Sequence, residues 1–148
     1  MRFGALAVAA LALIGMSACA ATQLIPRYIH GLSGPAIGNG NSTEAIDEFP
    51  LGEEIPGFEG YNMRARYILV APGGHIRIHN HTGRPAFSYI VNVPVIQYRS
   101  DRPGQPIAHE PGSFSADNDI GHWWRNNTDQ TARWYVVDIY QTGGNAGE

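Results

Sequence analysis

Three of the six histidines in this chain are spaced as metal ligands are. His79 and His81 stand one residue apart in the stretch PGGHIRIHNH, and His122 follows later in GHWWRN. Successive side chains of a strand point to opposite faces, so His79 and His81 would point the same way. Two imidazoles on one strand face can reach a single ion at about 2.0–2.2 Å. Half-buried strands also carry such histidines without any metal, so the pair by itself is weak evidence.

The charge balance excludes a nucleic-acid-binding class. The formal net charge of the 148 residues is −3, with thirteen acidic residues against ten basic ones, and every basic residue is an arginine. A nucleic-acid footprint needs a dense basic patch, whereas residues 44–59 hold six acidic residues and no basic one. We interpret that stretch as a solvated acidic surface. A chain of this length suits one domain.

Residues 1–20, MRFGALAVAALALIGMSACA, have the pattern of a secretory signal peptide. One early arginine precedes an apolar run that ends in small residues, and this run is short for a hydrocarbon core of about 30 Å. We therefore expect export to the periplasm or the extracellular space. Cleavage before Ala21 and lipidation of Cys19, which would anchor a lipoprotein to a membrane, are both open. In either case the mature chain has no cysteine pair for an intramolecular disulfide.

The remaining chain divides into an arm, a β-domain and a short tail. Residues 21–48 include a stretch rich in Gly, Ser and Asn and predict an N-terminal arm or linker without regular structure. Residues 49–142 alternate short apolar runs with Gly, Pro, Asn and Asp, which is typical of an all-β sandwich or barrel. Residues 143–148 form a predicted C-terminal tail.

The two histidine segments together resemble the motifs of the cupin family. Cupins have glycine, then HxH, then a glutamate, and later proline and glycine followed by HxxxN. The matching segments here are PGGHIRIHNHTGRPAFSYIV and EPGSFSADNDIGHWWRN. The resemblance covers about Ile55 to Tyr140. More specifically, the chain resembles small single-domain bacterial cupins of type 2. It implies a double-stranded β-helix, the jelly-roll barrel, and assembly as a homodimer is common in such proteins.

The resemblance implies that His79, His81 and His122 bind one divalent ion, either Fe, Zn, Mn or Ni. The motif glutamate should lie near Pro85 or Ala86, and neither residue can ligate a metal. A neutral three-histidine site is a cupin variant in which no carboxylate compensates the +2 charge of the ion. Such a site favours an anionic ligand or a hydroxide.

Strand parity, taken together with the resemblance, predicts the pocket lining as Phe87, Trp124 and Asn126. Tyr89 shares the predicted inward face with Phe87, and its phenol could act as a general acid or hold a bound water. If the strand stays regular, Arg77 and His75 would face inward and Ile76 would lie outside. Arg77 could then clamp a carboxylate through two hydrogen bonds. Tyr89 and Arg77 are thus the candidate catalytic residues, and Trp123 is expected to lie outside the barrel.

Two functions from different classes remain open. The first is a metal-dependent enzyme, of oxygenase, isomerase or hydrolase type, that acts on a small anionic or enolisable molecule. Open coordination positions suit Fe(II) oxygen chemistry and equally Zn, Mn or Ni chemistry, although export disfavours the easily oxidised Fe(II). The alternative is a non-catalytic exported barrel that binds a small ligand. Nothing in the residues selects one reaction.

Overall fold

The computed structural model describes residues 26–143 of the chain. The predicted signal peptide with Cys19, and residues 144–148 of the predicted tail, lie outside the described residues. Within residues 26–143, no helix has the length and apolar character that crossing a membrane requires.

The described chain is almost entirely β-structure. Its elements are β1 (Pro26–Ile29), β2 (Leu32–Pro35), β3 (Asn39–Pro50), a 3₁₀ turn (Leu51–Glu53), β4 (Tyr61–Asn80), β5 (Ala86–Ile90), β6 (Val95–Arg99), β7 (Ile107–His109), β8 (Phe114–Asp117), β9 (Gly121–Arg125) and β10 (Ala132–Gln141). The main sheet has the order β7-β6-β9-β4-β10-β5-β8, and β3 also pairs with β4. All of these pairings are antiparallel. This nearly closed barrel confirms the all-β prediction.

The barrel interior contains an apolar core. Alternation along the strands turns every second side chain inward, and the inward set includes Val70, Ile90 and Val95, all fully buried. Trp124 and Trp134 meet in this core with ring centroids 5.5 Å apart. The core holds β4, β9 and β10 together, and β4 and β9 also carry the paired histidines His79 and His122.

The segment predicted as an arm contains regular structure. β3 runs along β4 from Asn41 opposite Val70 to Pro50 opposite Asn62, and the predicted boundary between residues 48 and 49 falls inside this strand. The prediction of irregular structure is therefore wrong for residues 39–48. All twelve residues of β3 are exposed, so the strand depends on backbone pairing and shows no apolar alternation that a sequence pattern could reveal.

The β1–β2 hairpin covers the outer face of the barrel. A Cβ on Gly34 would come within 2.6 Å of Trp123, and one on Gly121 would come equally close to Ile29. Glycine is needed at both positions because the two layers approach so closely. Trp123 lies outside the barrel and stacks on Tyr98 with ring centroids 3.8 Å apart.

Candidate metal centre

The three candidate histidines meet at one point. His79 lies at the end of β4 and His81 directly follows the strand, and β9 places His122 directly opposite His79. The Nε2 atom of His79 lies 2.9 Å from that of His122 and 3.3 Å from that of His81. The ligand atoms of all three rings lie within 4.8 Å of one another. Antiparallel pairing of two neighbouring strands thus brings together residues that are far apart in sequence.

The rings of His79 and His81 are oriented by backbone carbonyls. The Nδ1 atom of His79 lies 3.0 Å from the carbonyl oxygen of Arg77, and that of His81 lies 2.8 Å from the carbonyl oxygen of Arg84. A carbonyl only accepts, so each Nδ1 carries the hydrogen and each Nε2 keeps its lone pair. Metal-ligating histidines are held in this way. The donor set and its orientation therefore fit a divalent ion.

Burial keeps the histidines in the form that binds metal. Burial lowers the pKa of His79 well below its ordinary value, and the neighbouring His122 lowers it further. Burial, followed by the charges of His122 and Arg84, lowers the pKa of His81 to about 3. Both rings are neutral near pH 7, and a metal can bind without first displacing protons from them.

A bulge interrupts β4 just before the histidine pair. Ile76 pairs with Trp124 and His79 pairs with His122, so a step of three residues on β4 faces a step of two on β9. The expectation that His75 faces inward and Ile76 outward in a regular strand is therefore wrong. Ile76 lines the interior, whereas His75 is half-buried away from it, with its Nε2 3.2 Å from the carbonyl oxygen of Ile37.

The histidines line a cavity of about 590 Å³. Its wall includes three arginines, Arg66, Arg77 and Arg84, together with Trp124 and Trp134. Arg77 thus lies at the cavity, as predicted. Trp124 is 2% exposed, and its ring centroid lies 5.8 Å from that of His122, in agreement with its predicted place in the pocket lining. The cavity thus brings together three imidazoles, three arginines and Asp117, and two of the arginines, Arg66 and Arg84, also pair with Asp138.

The predicted inward positions of Phe87 and Tyr89 are wrong. β5 buries Ala86, Ser88 and Ile90, whereas Phe87 is 63% exposed and Tyr89 is 37% exposed. The inward position expected for the motif glutamate is therefore Ala86 rather than Pro85. Because neighbouring residues of a strand face opposite sides, this shift by one residue places Phe87 and Tyr89 on the outer face. Tyr89 packs outside the barrel, so it is not placed to donate a proton in the cavity.

Tyr89 belongs instead to a row of aromatic rings on the outer face of the sheet. Its ring centroid lies 4.9 Å from that of Phe114 and 6.5 Å from that of Tyr135. Tyr135 in turn contacts Tyr67 on β4 through the two hydroxyl groups. The phenol of Tyr89 thus has aromatic neighbours in place of the predicted water or substrate.

Asn126 points inward but supports the fold rather than the pocket. Its amide nitrogen donates to the carbonyl oxygens of Val70 and Gln130, at 2.9 and 2.7 Å. Its side-chain oxygen accepts from the backbone N–H of Thr128 at 2.9 Å. These bonds tie the β9–β10 turn to β4, and Asn126 is not part of the cavity wall.

Two polar residues behind His122 were missed in the sequence. The side-chain nitrogen of Gln97 lies 2.7 Å from Nδ1 of His122, and Asp117 Oδ1 lies 3.3 Å from the same atom. Gln97 also accepts from His109 Nε2 at 2.9 Å. The alternation of SFSAD puts Asp117 in phase with Ser115, but only the fold shows that this face of β8 meets His122.

Known structures identify the fold. No protein-family model and no curated protein matches the sequence. The polyketide cyclase RemF from Streptomyces resistomycificus matches with a TM-score of 0.56 and 16% identity over 82% of this chain and 78% of that one. The Cupin_2 domain of an XRE-family transcriptional regulator from Enterobacter cloacae has a TM-score of 0.51 and 14% identity over 69% and 97%.

Oxalate oxidase in complex with the substrate analogue glycolate matches with a TM-score of 0.51 and 18% identity. The match covers 70% of this chain and 52% of the other, so the chain spans about half the length of that enzyme. At such identities the similarity shows the fold alone. The described chain has the cupin fold, a jelly-roll β-barrel.

Proposed function

We propose that the chain is a metal-dependent cupin enzyme that acts on a small anionic molecule. The observation that supports this most directly is the convergence of the Nε2 atoms of His79, His81 and His122 at the cavity wall. A divalent ion held there would supply a Lewis acid or an oxygen-activating centre. The chain itself would orient the ligand and exclude bulk water.

Arg77 is the basis for proposing an anionic ligand. Arg77 lines the cavity, and its guanidinium forms no hydrogen bond or ion pair with any other residue of the described chain. A guanidinium binds a carboxylate through two parallel hydrogen bonds. The group of potential ligand atoms among the described residues contains three histidines and no carboxylate, so the charge of a bound ion is not neutralised by its own ligands and attracts an anion further.

Metal content of single alanine variants tests the ligand set. The protein is prepared without chelators, reconstituted with Fe, Zn, Mn or Ni, and examined by elemental analysis. Alanine at His79, His81 or His122 should cost several kcal/mol of metal affinity, since structural zinc sites total about 10–16 kcal/mol. His75→Ala and His109→Ala are the controls and should keep the metal. Full occupancy in His79→Ala or His122→Ala would contradict the proposal.

Binding of simple carboxylates tests the role of Arg77. Acetate, glycolate and oxalate are the probes, titrated calorimetrically into the metal-loaded protein. Loss of a charge-assisted bidentate contact in Arg77→Met should weaken binding about tenfold or more, since hydrogen bonds to charged groups contribute about 1.5–3 kcal/mol. Arg125→Met is the control, because Arg125 is exposed on the outer face of β9. Equal effects of the two changes would remove Arg77 from the site.

A non-catalytic binding protein is the second candidate. The outward position of Tyr89 favours it, because the cavity lacks the proton donor that the sequence predicted. Under this alternative the wild-type protein would bind the carboxylate probes while taking up none of the four metals.

Export and assembly are proposals of the same kind. Removal of residues 1–20 would place the mature protein in the periplasm or outside the cell, and Cys19 would be its lipid attachment site if it is a lipoprotein. Intact mass distinguishes a chain that begins at Ala21 from a lipidated chain that begins at Cys19, and a chain that retains Met1 would contradict export. The bacterial origin and the homodimer implied by the resemblance stay predictions, and light scattering tests the homodimer.

A further inference from the structure

Asp117 has one crowded oxygen and one without a partner. Its Oδ1 accepts from Gln97 Nε2 at 2.7 Å, from an Arg99 nitrogen at 2.9 Å and from Ser115 Oγ at 3.2 Å. Its Oδ2 is buried and has no hydrogen-bond partner among the described residues. The residue is 1% exposed and lines the cavity. An acceptor left unsatisfied in this way is costly, more so when it is charged, so its position calls for a donor from the cavity.

Asp117 lies directly beside the position of the absent motif glutamate. In the register of β5 and β8, Ala86 pairs with Asp117. Ala86 is the inward residue at which the cupin pattern has its carboxylate, and an alanine methyl group cannot replace it. A carboxylate is nevertheless present in the same wall, supplied by the neighbouring strand.

Asp117 also stands behind one of the three histidines. If His122 binds an ion through Nε2, its hydrogen sits on Nδ1, and the donating amide nitrogen of Gln97, now 2.7 Å from Nδ1, has to turn away. Asp117 Oδ1, 3.3 Å from Nδ1, is then the acceptor for that hydrogen. Carboxylates in this position orient a ligating imidazole and make it a stronger ligand.

We propose that Asp117 is the anionic group of the metal centre and acts without ligating the ion. Its Oδ1 orients His122, and its Oδ2 accepts a hydrogen bond from the hydroxyl or water held in the cavity. The compact group of potential metal-binding atoms consists of the three histidines without Asp117, so Asp117 is a positioning residue. This inference rests on the proposed metal-binding function.

The test is the affinity of the purified protein for Co(II), measured by competition with a chelator, together with the visible absorption of the bound cobalt. Asp117→Asn should weaken Co(II) binding about 10–100-fold, the usual effect of losing such an outer carboxylate. Asp101→Asn is the matched control. Asp101 also pairs with Arg99, at 2.9 Å, but its side chain is 45% exposed, so its loss should leave the cobalt affinity unchanged.

Returning a carboxylate to β5 gives the complementary experiment. In the Asp117→Asn background, Ala86→Glu should recover most of the lost affinity, because the new side chain starts from the position paired with residue 117. If Asp117→Asn does not fold, Asp117→Glu keeps the charge and moves the carboxylate toward the ion, so the cobalt absorption should change.

The outcomes separate this inference from the proposed function. Wild-type cobalt affinity in a folded Asp117→Asn variant, or an unchanged spectrum in Asp117→Glu, would overturn the inference and leave the three-histidine site intact. Failure of the wild-type protein to bind Co(II) or any of the four metals would overturn the proposed function and this inference with it.

Discussion

Two buried carboxylates of the barrel, Asp117 and Asp138, differ in how completely they are bonded. Both are 1% exposed. Asp138 uses both oxygens, since Oδ1 accepts from Arg64 at 2.9 Å while Oδ2 accepts from Arg66 at 2.9 Å and from Arg84 at 2.8 Å. Asp117 leaves one oxygen without a donor. Buried polar groups nearly always have a hydrogen-bond partner. Asp138 therefore has the complete bonding of a structural ion cluster, whereas Asp117 keeps one oxygen that a bound ligand could use as an acceptor.

The two carboxylates are both charged at neutral pH. Burial alone would raise the pKa of Asp138, but the hydrogen bond from Arg64 and the charges of Arg66 and Arg84 lower it below the usual range. Asp117 is shifted in the same direction. Asp117 and Asp138 therefore differ in how many of their oxygens are hydrogen-bonded and not in their ionisation.

One residue connects the two regions. The guanidinium of Arg84 donates to Asp138 at 2.8 Å, and its backbone carbonyl accepts from His81 at 2.8 Å. The Asp138 cluster thus holds the loop that orients one of the candidate metal ligands. The ion cluster around Asp138 can in this way help to keep His81 in place, since Arg84 and His81 line the same cavity.

The largest expected effect is on stability. Asp138→Asn would leave three mostly buried arginines without their carboxylate and should lower the free energy of unfolding by about 3–5 kcal/mol. Asp117→Asn should cost less, about 1–2 kcal/mol, because Arg99 keeps Asp101 as a second partner. Urea unfolding of both variants measures the two values. Equal losses would mean that the two carboxylates have the same structural role.

The next largest difference should be in how the free energy of unfolding depends on pH in the acidic range. A carboxyl whose pKa is depressed in the folded state stabilises the protein above its unfolded pKa of about 3.9. That stabilisation is lost as the pH falls from there through the folded pKa. Asp138→Asn should therefore flatten the dependence of the unfolding free energy on pH below about pH 5. Urea unfolding midpoints measured across this pH range test the prediction. If they change with pH in Asp138→Asn as steeply as in the wild type, the Asp138 ion cluster does not contribute this stabilisation.

Tryptophan fluorescence should show the smallest effect. Trp124 lies at the cavity beside His122, whereas Trp123 stacks on Tyr98 outside the barrel. Adding Zn(II) should change the emission of a Trp123→Phe variant, while a Trp124→Phe variant should lose most of that change. Trp134 also lines the cavity and accounts for the residual signal. A response that survives Trp124→Phe and disappears in Trp123→Phe would place the ion away from the Asp117 region.

Local patterns predicted the parts of the site that depend on one strand or one motif. The spacing of His79 and His81, and that of His122 and Trp124, is set by alternation within a strand and persists in the fold. Parity failed where it had to be carried across a bulge or a loop. The bulge in β4 turns the side chain of Ile76 inward instead of outward. The loop after His81 shifts the inward positions of β5 by one residue, so Phe87 faces outward.

The amino-acid sequence by itself determined the β-class, the pairing of two histidines on one strand face, and the lack of a carboxylate at Ala86. These properties follow from strand periodicity and side-chain chemistry, which are local. Only the tertiary structure decided that β3 joins the sheet, that Tyr89 lies outside, and that Asp117 stands beside Ala86 and behind His122. Such neighbours come from the register of strands distant in sequence, and that register depends on packing the whole barrel.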